Sequence, residues 1–176
     1  LRLALERGLD NVRVEDIAEA AGVSTRTFNN YFASKHEAIA ARHVDRVRQS
    51  ARTLRERPPG EPLWEALTRA VLAPWESATQ PPAPEVRQAL RLLAGAPVME
   101  GLFAADAELA AAVAERTGTS LERDLYPHLV ATAVIAATQA AVGHWLRVEP
   151  PAPLVPLITE ALRQLAAGMP EAPHDR

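Results

Sequence analysis

The stretch over residues 14–32 constrains the fold of this chain most, because its spacing is typical of two short helices joined by a tight turn. Its sequence is VEDIAEAAGVSTRTFNNYF. Gly22 can adopt the left-handed conformation that a sharp helix-to-helix turn requires, and Val23 is placed to fill the angle between the helices. Ser24 is a good N-cap for the helix that follows. We therefore expect a helix-turn-helix unit.

The first of these helices has a short apolar face and a small residue where a neighbour could cross. Alanine at position 18 would allow a second helix to approach closely. The predicted apolar face consists of Ile17, Ala20 and Ala21.

The second helix separates into an aromatic face and a polar face. Phe28, Tyr31 and Phe32 lie at i, i+3 and i+4 and are predicted to point inward. Arginine can pair with guanine, asparagine with adenine and threonine with a thymine methyl group. A helical hairpin with a solvated polar face is the alternative, but the glycine, the cap and this polar set together favour a recognition helix. The outward set is Thr25, Arg26, Asn29 and Asn30.

The charge is distributed unevenly along the chain. The net charge is −3, yet residues 1–57 hold eleven Lys and Arg against eight Asp and Glu, whereas the remainder holds eight against fourteen. A basic N-terminal part on an acidic body suggests that one end meets a polyanion. A few solvated arginines on one helix face would give the same count.

The rest of the chain has helical periodicity throughout, which predicts an all-α protein of about nine helices. Two of them are long: residues 35–56, and residues 121–147 with Pro127 in the first turn, where proline costs little. Residues 154–167 form the last helix. The tail over residues 169–176 is expected to be disordered.

The segment DIAEAAGVS from Asp16, followed by the pattern TFxxYFxSK that ends at Lys35, resembles the DNA-binding domain of TetR-type repressors over residues 3–45. The resemblance implies a three-helix head over residues 1–45, with the helix-turn-helix motif at about 13–32. It also implies an effector-binding and dimerisation domain over residues 46–168. Such proteins are cytoplasmic homodimers that repress transcription and leave a palindromic DNA operator when a small ligand binds.

The resemblance also assigns roles by position. Thr25, Arg26, Thr27 and Asn29 should approach bases or nearby backbone, and Tyr31 and Lys35 should hold phosphates. Ser34 should cap the long helix, which places Lys35 and His36 near the positive end of that helix, where a phosphate is favoured. The predicted DNA-binding residues are Arg13, Ser24, Thr25, Arg26, Thr27, Asn29, Asn30, Tyr31, Lys35 and His36.

Three features depart from the family pattern. Arg13 stands where the family usually has a Thr or Ser that caps the helix and touches phosphate, so the cap should be lost although Arg13 could still reach a phosphate. Asn29 stands where the family often has an aromatic residue. No basic segment precedes Leu1, and we expect further residues upstream.

The body resembles the part of the family that senses acyl-CoA-like ligands, so we expect a small apolar or acyl-type effector. Large apolar side chains suit such a ligand, and Arg87 and Arg91, four residues apart, could hold an anionic group. The alternative for each apolar residue is ordinary core, and for the two arginines a solvated surface. The predicted ligand-binding residues are Trp64, Leu67, Val71, Trp75, Arg87, Leu90, Arg91, Met99, Leu102, Phe103 and Trp145.

The last two helices are predicted to form the homodimer. Residues 129–146 are rich in Ala, Val and Thr, whose small side chains allow a symmetry-related helix to come close. With the helix at 154–167 this gives a four-helix bundle by analogy with the family. The alternative is burial within one subunit.

Other classes of protein find little support. The chain has no cysteine, and its five histidines are scattered. It also lacks the metalloprotease, phosphate-loop and nucleophile-elbow motifs. We therefore expect no enzyme activity, no metal and no cofactor. No run of about eighteen apolar residues is evident, which argues against a membrane span. A helical adaptor that binds protein instead of DNA remains the alternative function.

Overall fold

The structure is a computed structural model that describes residue 3 and residues 11–32, 34–76, 100–149 and 152–169. Within these ranges all regular structure is helical, which agrees with the predicted fold class. They hold seven α-helices against about nine predicted for the whole chain. The elements are α1 (Val14–Ala20), α2 (Thr25–Tyr31), α3 (Lys35–Glu56), α4 (Leu63–Leu72), a 3-10 helix (Ala73–Trp75), α5 (Glu100–Thr117), α6 (Tyr126–Arg147) and α7 (Leu154–Ala166).

Helix boundaries follow the sequence signals closely, with one exception. Helix α3 has the predicted bounds, and α7 ends one residue early. Helix α6 was predicted from residue 121, but it begins at Tyr126, with Pro127 in its first turn as expected. The preceding residues form a turn of their own, because the Ser120 amide donates to Asp124 Oδ2 over 2.7 Å and the Asp124 amide to the Ser120 carbonyl over 3.0 Å.

The chain divides into two compact units. The first comprises Leu1–Asp45 and Pro82–Ala105, and the second comprises Arg46–Pro81 and Asp106–Arg176. Helix α3 contributes to both, since its residues up to Asp45 belong to the first unit and those from Arg46 onward to the second.

The core of the second unit is built on α7, which packs against α6 and α4. Its most deeply buried large side chains are aliphatic, and burying each stabilises the fold by roughly 1.5–3 kcal/mol relative to exposure. The large side chains with 1% exposure or less are Leu54, Leu67, Leu109, Val113, Val134, Leu154, Ile158 and Leu162.

Two ion pairs show that α3 and α5 lie side by side and run in the same direction. Arg48 Nε lies 2.8 Å from Glu108, and seven residues further along both helices Arg55 Nε lies 2.8 Å from Glu115. The hydrogen bond from Arg55 lowers the pKa of Glu115. Because all four side chains are well exposed, each pair contributes at most about 1 kcal/mol and mainly sets the register of the two helices.

Helix α6 is more apolar than we expected from the sequence. It is long and apolar enough, by length and composition, to cross a membrane, and only 39% of its most apolar window is buried. The expectation that no such stretch exists was wrong, because histidine, threonine and glutamine interrupt the apolar residues without adding formal charge. One such helix is weak evidence for a membrane span, since a core helix passes the same test.

Candidate nucleic-acid interface

The start of α1 is capped from within the helix instead of by its N-cap side chain. Arg13 takes the N-cap position with extended backbone and its side chain makes no capping bond, as predicted, since a guanidinium only donates. Asp16 supplies the other half of a capping box, because its Oδ2 accepts the Arg13 amide over 2.9 Å. Sequence reasoning missed this role, although an acid three residues after the cap is half of a capping box.

The turn between α1 and α2 has the geometry that Gly22 predicted. Gly22 has φ of +70°, its amide donates to Glu19, and the Val23 amide donates to Ala18 over 2.9 Å. These are the two bonds of a Schellman motif, which ends a helix and reverses the chain. Val23 is 42% exposed, so it fills the angle between the helices only in part.

The apolar face of α1 differs from the predicted one. Ala18, expected only to permit a close crossing, is the buried residue, with 1% exposure. Ile17 is half-buried, whereas Ala20 and Ala21 are exposed. Ala20 and Ala21 stand directly before the chain reversal at Gly22, at the exposed end of the helix.

Ser24 caps α2 as predicted. Its Oγ accepts the Thr27 amide over 3.0 Å, and its hydroxyl lies 2.8 Å from Thr27 Oγ1. Both hydroxyls therefore have a local partner at the N-terminus of α2. The structure gives Thr27 a second role beside the DNA contact predicted for it, which is to fix the cap.

The aromatic face of α2 is narrower than predicted. Phe28 is buried with 5% exposure, and Phe32 is half-buried with its ring centroid 5.3 Å from that of Phe28. Tyr31 was predicted to point inward, but it is 74% exposed. Its phenol thus faces solvent, where the separate prediction of a phosphate contact requires it.

The polar face of α2 is presented to solvent. Arg26, Asn29 and Asn30 are exposed on the helix that buries Phe28, and Thr25 is half-buried. Arginine and asparagine forks of this kind match the hydrogen-bonding edges of guanine and adenine in the major groove.

The start of α3 joins the helix-turn-helix through Lys35. Ser34 Oγ accepts the Glu37 amide over 3.1 Å, which confirms the predicted cap. Lys35 Nζ donates to the carbonyl of Val12 over 3.1 Å, a contact with no signal in the sequence. An ammonium has three donors, so this bond is compatible with the phosphate contact predicted for Lys35. His36 lies in the first turn of α3, and its side chain lies outside the described part.

The basic excess of residues 1–57 does not belong to this head. Residues 1–45 hold six Lys and Arg against seven Asp and Glu, so the excess comes from five arginines in the second unit. Four of them have partners there: Arg46 lies 3.8 Å from the centroid of the Trp75 ring, and three pair with carboxylates. Those three are Arg48, Arg55 and Arg57. The basic excess therefore does not support a polyanion-binding head, and because four of the five arginines have partners it does not form a solvated helix face either.

The residues predicted to bind the effector are mostly core where the structure describes them. Leu67, Val71, Trp75 and Trp145 are buried, and Trp64 is half-buried. Trp145 Nε1 donates to the Ala152 carbonyl over 2.7 Å. The side chains of the remaining six lie outside the described part of the chain: Arg87, Leu90, Arg91, Met99, Leu102 and Phe103.

Two sequence profiles match most of the chain. The profile of "Bacterial regulatory proteins, tetR family" matches residues 1–41, and that of the "MftR C-terminal domain" matches residues 61–170.

Two individual proteins are similar over most of their length. The "Putative mycofactocin biosynthesis transcriptional regulator MftR" of Mycobacterium tuberculosis is 27% identical over 153 residues, which are 85% of this chain and 77% of that protein. Among solved structures, the TetR-family transcriptional repressor FadR of Thermus thermophilus, in complex with lauroyl-CoA, superposes with a TM-score of 0.55. Its identity is 23%, with 99% of this chain and 94% of FadR covered.

Proposed function

This chain belongs to the TetR family of bacterial regulatory proteins, and we propose that it is a cytoplasmic homodimeric repressor that leaves a palindromic operator when a small apolar or acyl-type ligand binds. The observation that carries the DNA-binding half is the exposed polar face of α2. Arg26, Asn29 and Asn30 face solvent on a capped helix whose other side is anchored by buried Phe28.

In this proposal the residues of the head divide into two groups. Arg26 and Asn29 read base edges in the major groove, and Thr25 lies beside them. Arg13, Tyr31 and Lys35 hold phosphates, which position the head but carry no sequence information. The exposure of Arg13 and Tyr31 supports this division.

An exposed apolar surface on α6 supports a homodimer through α6 and α7. Leu129 is 59% exposed, and small exposed residues follow it at helical spacing: Thr132, Ala136 and Ala140. Small side chains on one face allow a second helix to approach closely, and a symmetric pair buries the same face twice. A second copy would cover this uncharged and largely apolar surface, which is otherwise left in water.

The effector is proposed to enter among the helices of the second unit. Leu67, Val71, Trp75 and Trp145 are buried apolar side chains whose core contacts a chain-like ligand could replace. The FadR structure was solved in complex with lauroyl-CoA, which makes that compound the first to try.

DNA binding is tested by selecting bound sequences from random duplexes and measuring the affinity of the best by fluorescence anisotropy. We expect two inverted half-sites about one helical turn apart. Affinity should fall by roughly 1,000-fold or more between 50 and 200 mM salt if about six or more phosphates are contacted. A protein adaptor would enrich no sequence and show no such salt dependence.

Ligand release is tested by adding lauroyl-CoA to the protein–operator complex. A true effector should lower the operator affinity and raise the melting temperature of the free protein, since binding to the folded state stabilises it by mass action. An unchanged melting temperature together with unchanged DNA affinity would remove this ligand, while the DNA-binding result would stand.

A further inference from the structure

The second unit contains a cleft of about 590 Å³ that none of the predicted ligand-binding residues lines. This volume is within the range of sites that hold small molecules, roughly 300–1,000 Å³. One part of its wall is apolar, formed by Leu72, Ala73 and Val155. Arg57 and Arg69 line it as well, and they are the residues that suggest what it binds.

A buried carboxylate holds these two arginines in place. The Glu61 side chain is only 7% exposed, and Arg57 binds it with both Nε and Nη2, at 2.7 and 2.8 Å. Arg69 Nη1 donates to the same Oε1 atom. The hydrogen bonds from Arg57 lower the pKa of Glu61, so this carboxylate stays ionised near neutral pH.

The loop that carries Glu61 is itself fixed. Arg116 Nη2 donates to the carbonyls of Pro58 and Glu61, over 2.7 and 2.6 Å. Because both the loop and the guanidiniums are already ordered, a ligand that met them would lose little of its binding energy to ordering side chains.

Because the two guanidiniums share the single carboxylate of Glu61, some of their N–H donors do not bind it. Arg57 uses two of its three nitrogens on Glu61 and Arg69 uses one, and the side chains are 27% and 59% exposed. A planar carboxylate fits a guanidinium fork. Glu76 also lines the cleft, and its charge repels an anionic ligand, so a ligand with one negative charge is disfavoured less than a ligand with two.

We propose that this cleft binds an amphipathic monocarboxylate, with the carboxylate on Arg57 and Arg69 and the aliphatic part against Leu72, Ala73 and Val155. Binding at this site does not depend on the proposed function. Ligand binding in the cleft would affect the operator complex only if the proposed function holds. Such an effect would pass through α3, because Arg57 directly follows this helix and its first residues belong to the DNA-binding head.

The test is isothermal titration of the full chain with sodium decanoate, without DNA, beside decanol as the uncharged probe of equal length. We expect saturable one-to-one binding of decanoate and at least about tenfold weaker binding of decanol, because the charge-assisted hydrogen bonds are lost. Arg69→Met should weaken decanoate about tenfold, and Arg123→Met, which removes an exposed arginine outside the cleft, should leave it unchanged.

A second variant, Val155→Trp, fills the cleft and should also weaken decanoate, and the melting temperature of each ligand-free variant checks its folding. The proposal is overturned if the wild type does not bind decanoate, if decanol binds equally well, or if both cleft variants bind decanoate like the wild type. Operator affinity of Arg69→Met, measured separately, should equal that of the wild type. A chain that binds decanoate but no DNA would contradict only the proposed function.

Discussion

Lys35, the only lysine of the chain, donates its ammonium to the carbonyl of Val12 over 3.1 Å, which ties the first residue of α3 to the residue before the N-cap of α1. The contact is partly buried, so it acts where water competes less. Lys35, for which a phosphate contact is predicted, thus also joins the start of α3 to the start of the helix-turn-helix unit.

Replacing Lys35 with Met should lower the affinity for all DNA sequences alike. We expect the slope of log K against log salt to fall by about one, because one phosphate contact is lost. Stability should fall by about 1–2 kcal/mol as the Val12 carbonyl loses its donor. Anisotropy across a salt series and urea unfolding measure the two effects. An unchanged salt slope would show that Lys35 contacts no phosphate and acts only through its bond to Val12.

Replacing Arg26 with Ala should instead change which sequences are bound. Discrimination at one position of each half-site should fall by about 1–3 kcal/mol, because a bidentate contact to guanine is removed. Selection from a randomised half-site measures this, with Arg123→Ala as a control outside the head. A uniform loss over all sequences would show that Arg26 binds backbone, not bases.

Replacing Gly22 with Ala should destabilise the protein by about 1–2 kcal/mol in urea unfolding. No atom lies within 4 Å of an added Cβ, so the cost comes only from forcing a side chain into φ of +70°. Gly60 is the matched control, because it has equal space and no positive φ. Gly60→Ala should be neutral or slightly stabilising. Equal effects of the two substitutions would contradict this account.

Replacing Ala136 with Glu should convert the proposed dimer into a monomer at micromolar concentration. Ala136 is exposed near the middle of α6, and two charges facing each other across the two-fold axis would be buried without partners. Sedimentation velocity reports the change. Ala107→Glu, at an exposed position of α5, should leave the dimer intact. A dimer that tolerates Glu at position 136 must use another surface.

Glu160 gives a pH dependence with a defined sign. Hydrogen bonds from Arg163 and then Gln164 lower its pKa from 4.5 to about 2. A lowered carboxylate pKa stabilises the folded state above the unfolded value, and this contribution is lost as pH falls from about 4.5 to about 2. The melting-temperature difference between wild type and Glu160→Gln should therefore shrink over that range. A difference that stays the same between pH 5 and pH 2 would contradict the lowered pKa.

The sequence by itself determined the local structure of this protein. The left-handed turn at Gly22, the caps at Ser24 and Ser34 and the bounds of α3 all followed from residues within a few positions of one another. Local backbone preferences and side-chain caps act over that distance, so a single sequence carries the information.

Only the tertiary structure decided which residues separated along the chain come together. The Lys35–Val12 bond, the exposure of Tyr31 and the location of the basic excess in paired arginines of the second unit had no local signal. The arginine pair of the cleft is another case, because the loop that carries Glu61 is held by Arg116, 55 positions further along the chain. Such contacts depend on how helices distant in sequence pack, which helical periodicity within each segment does not specify.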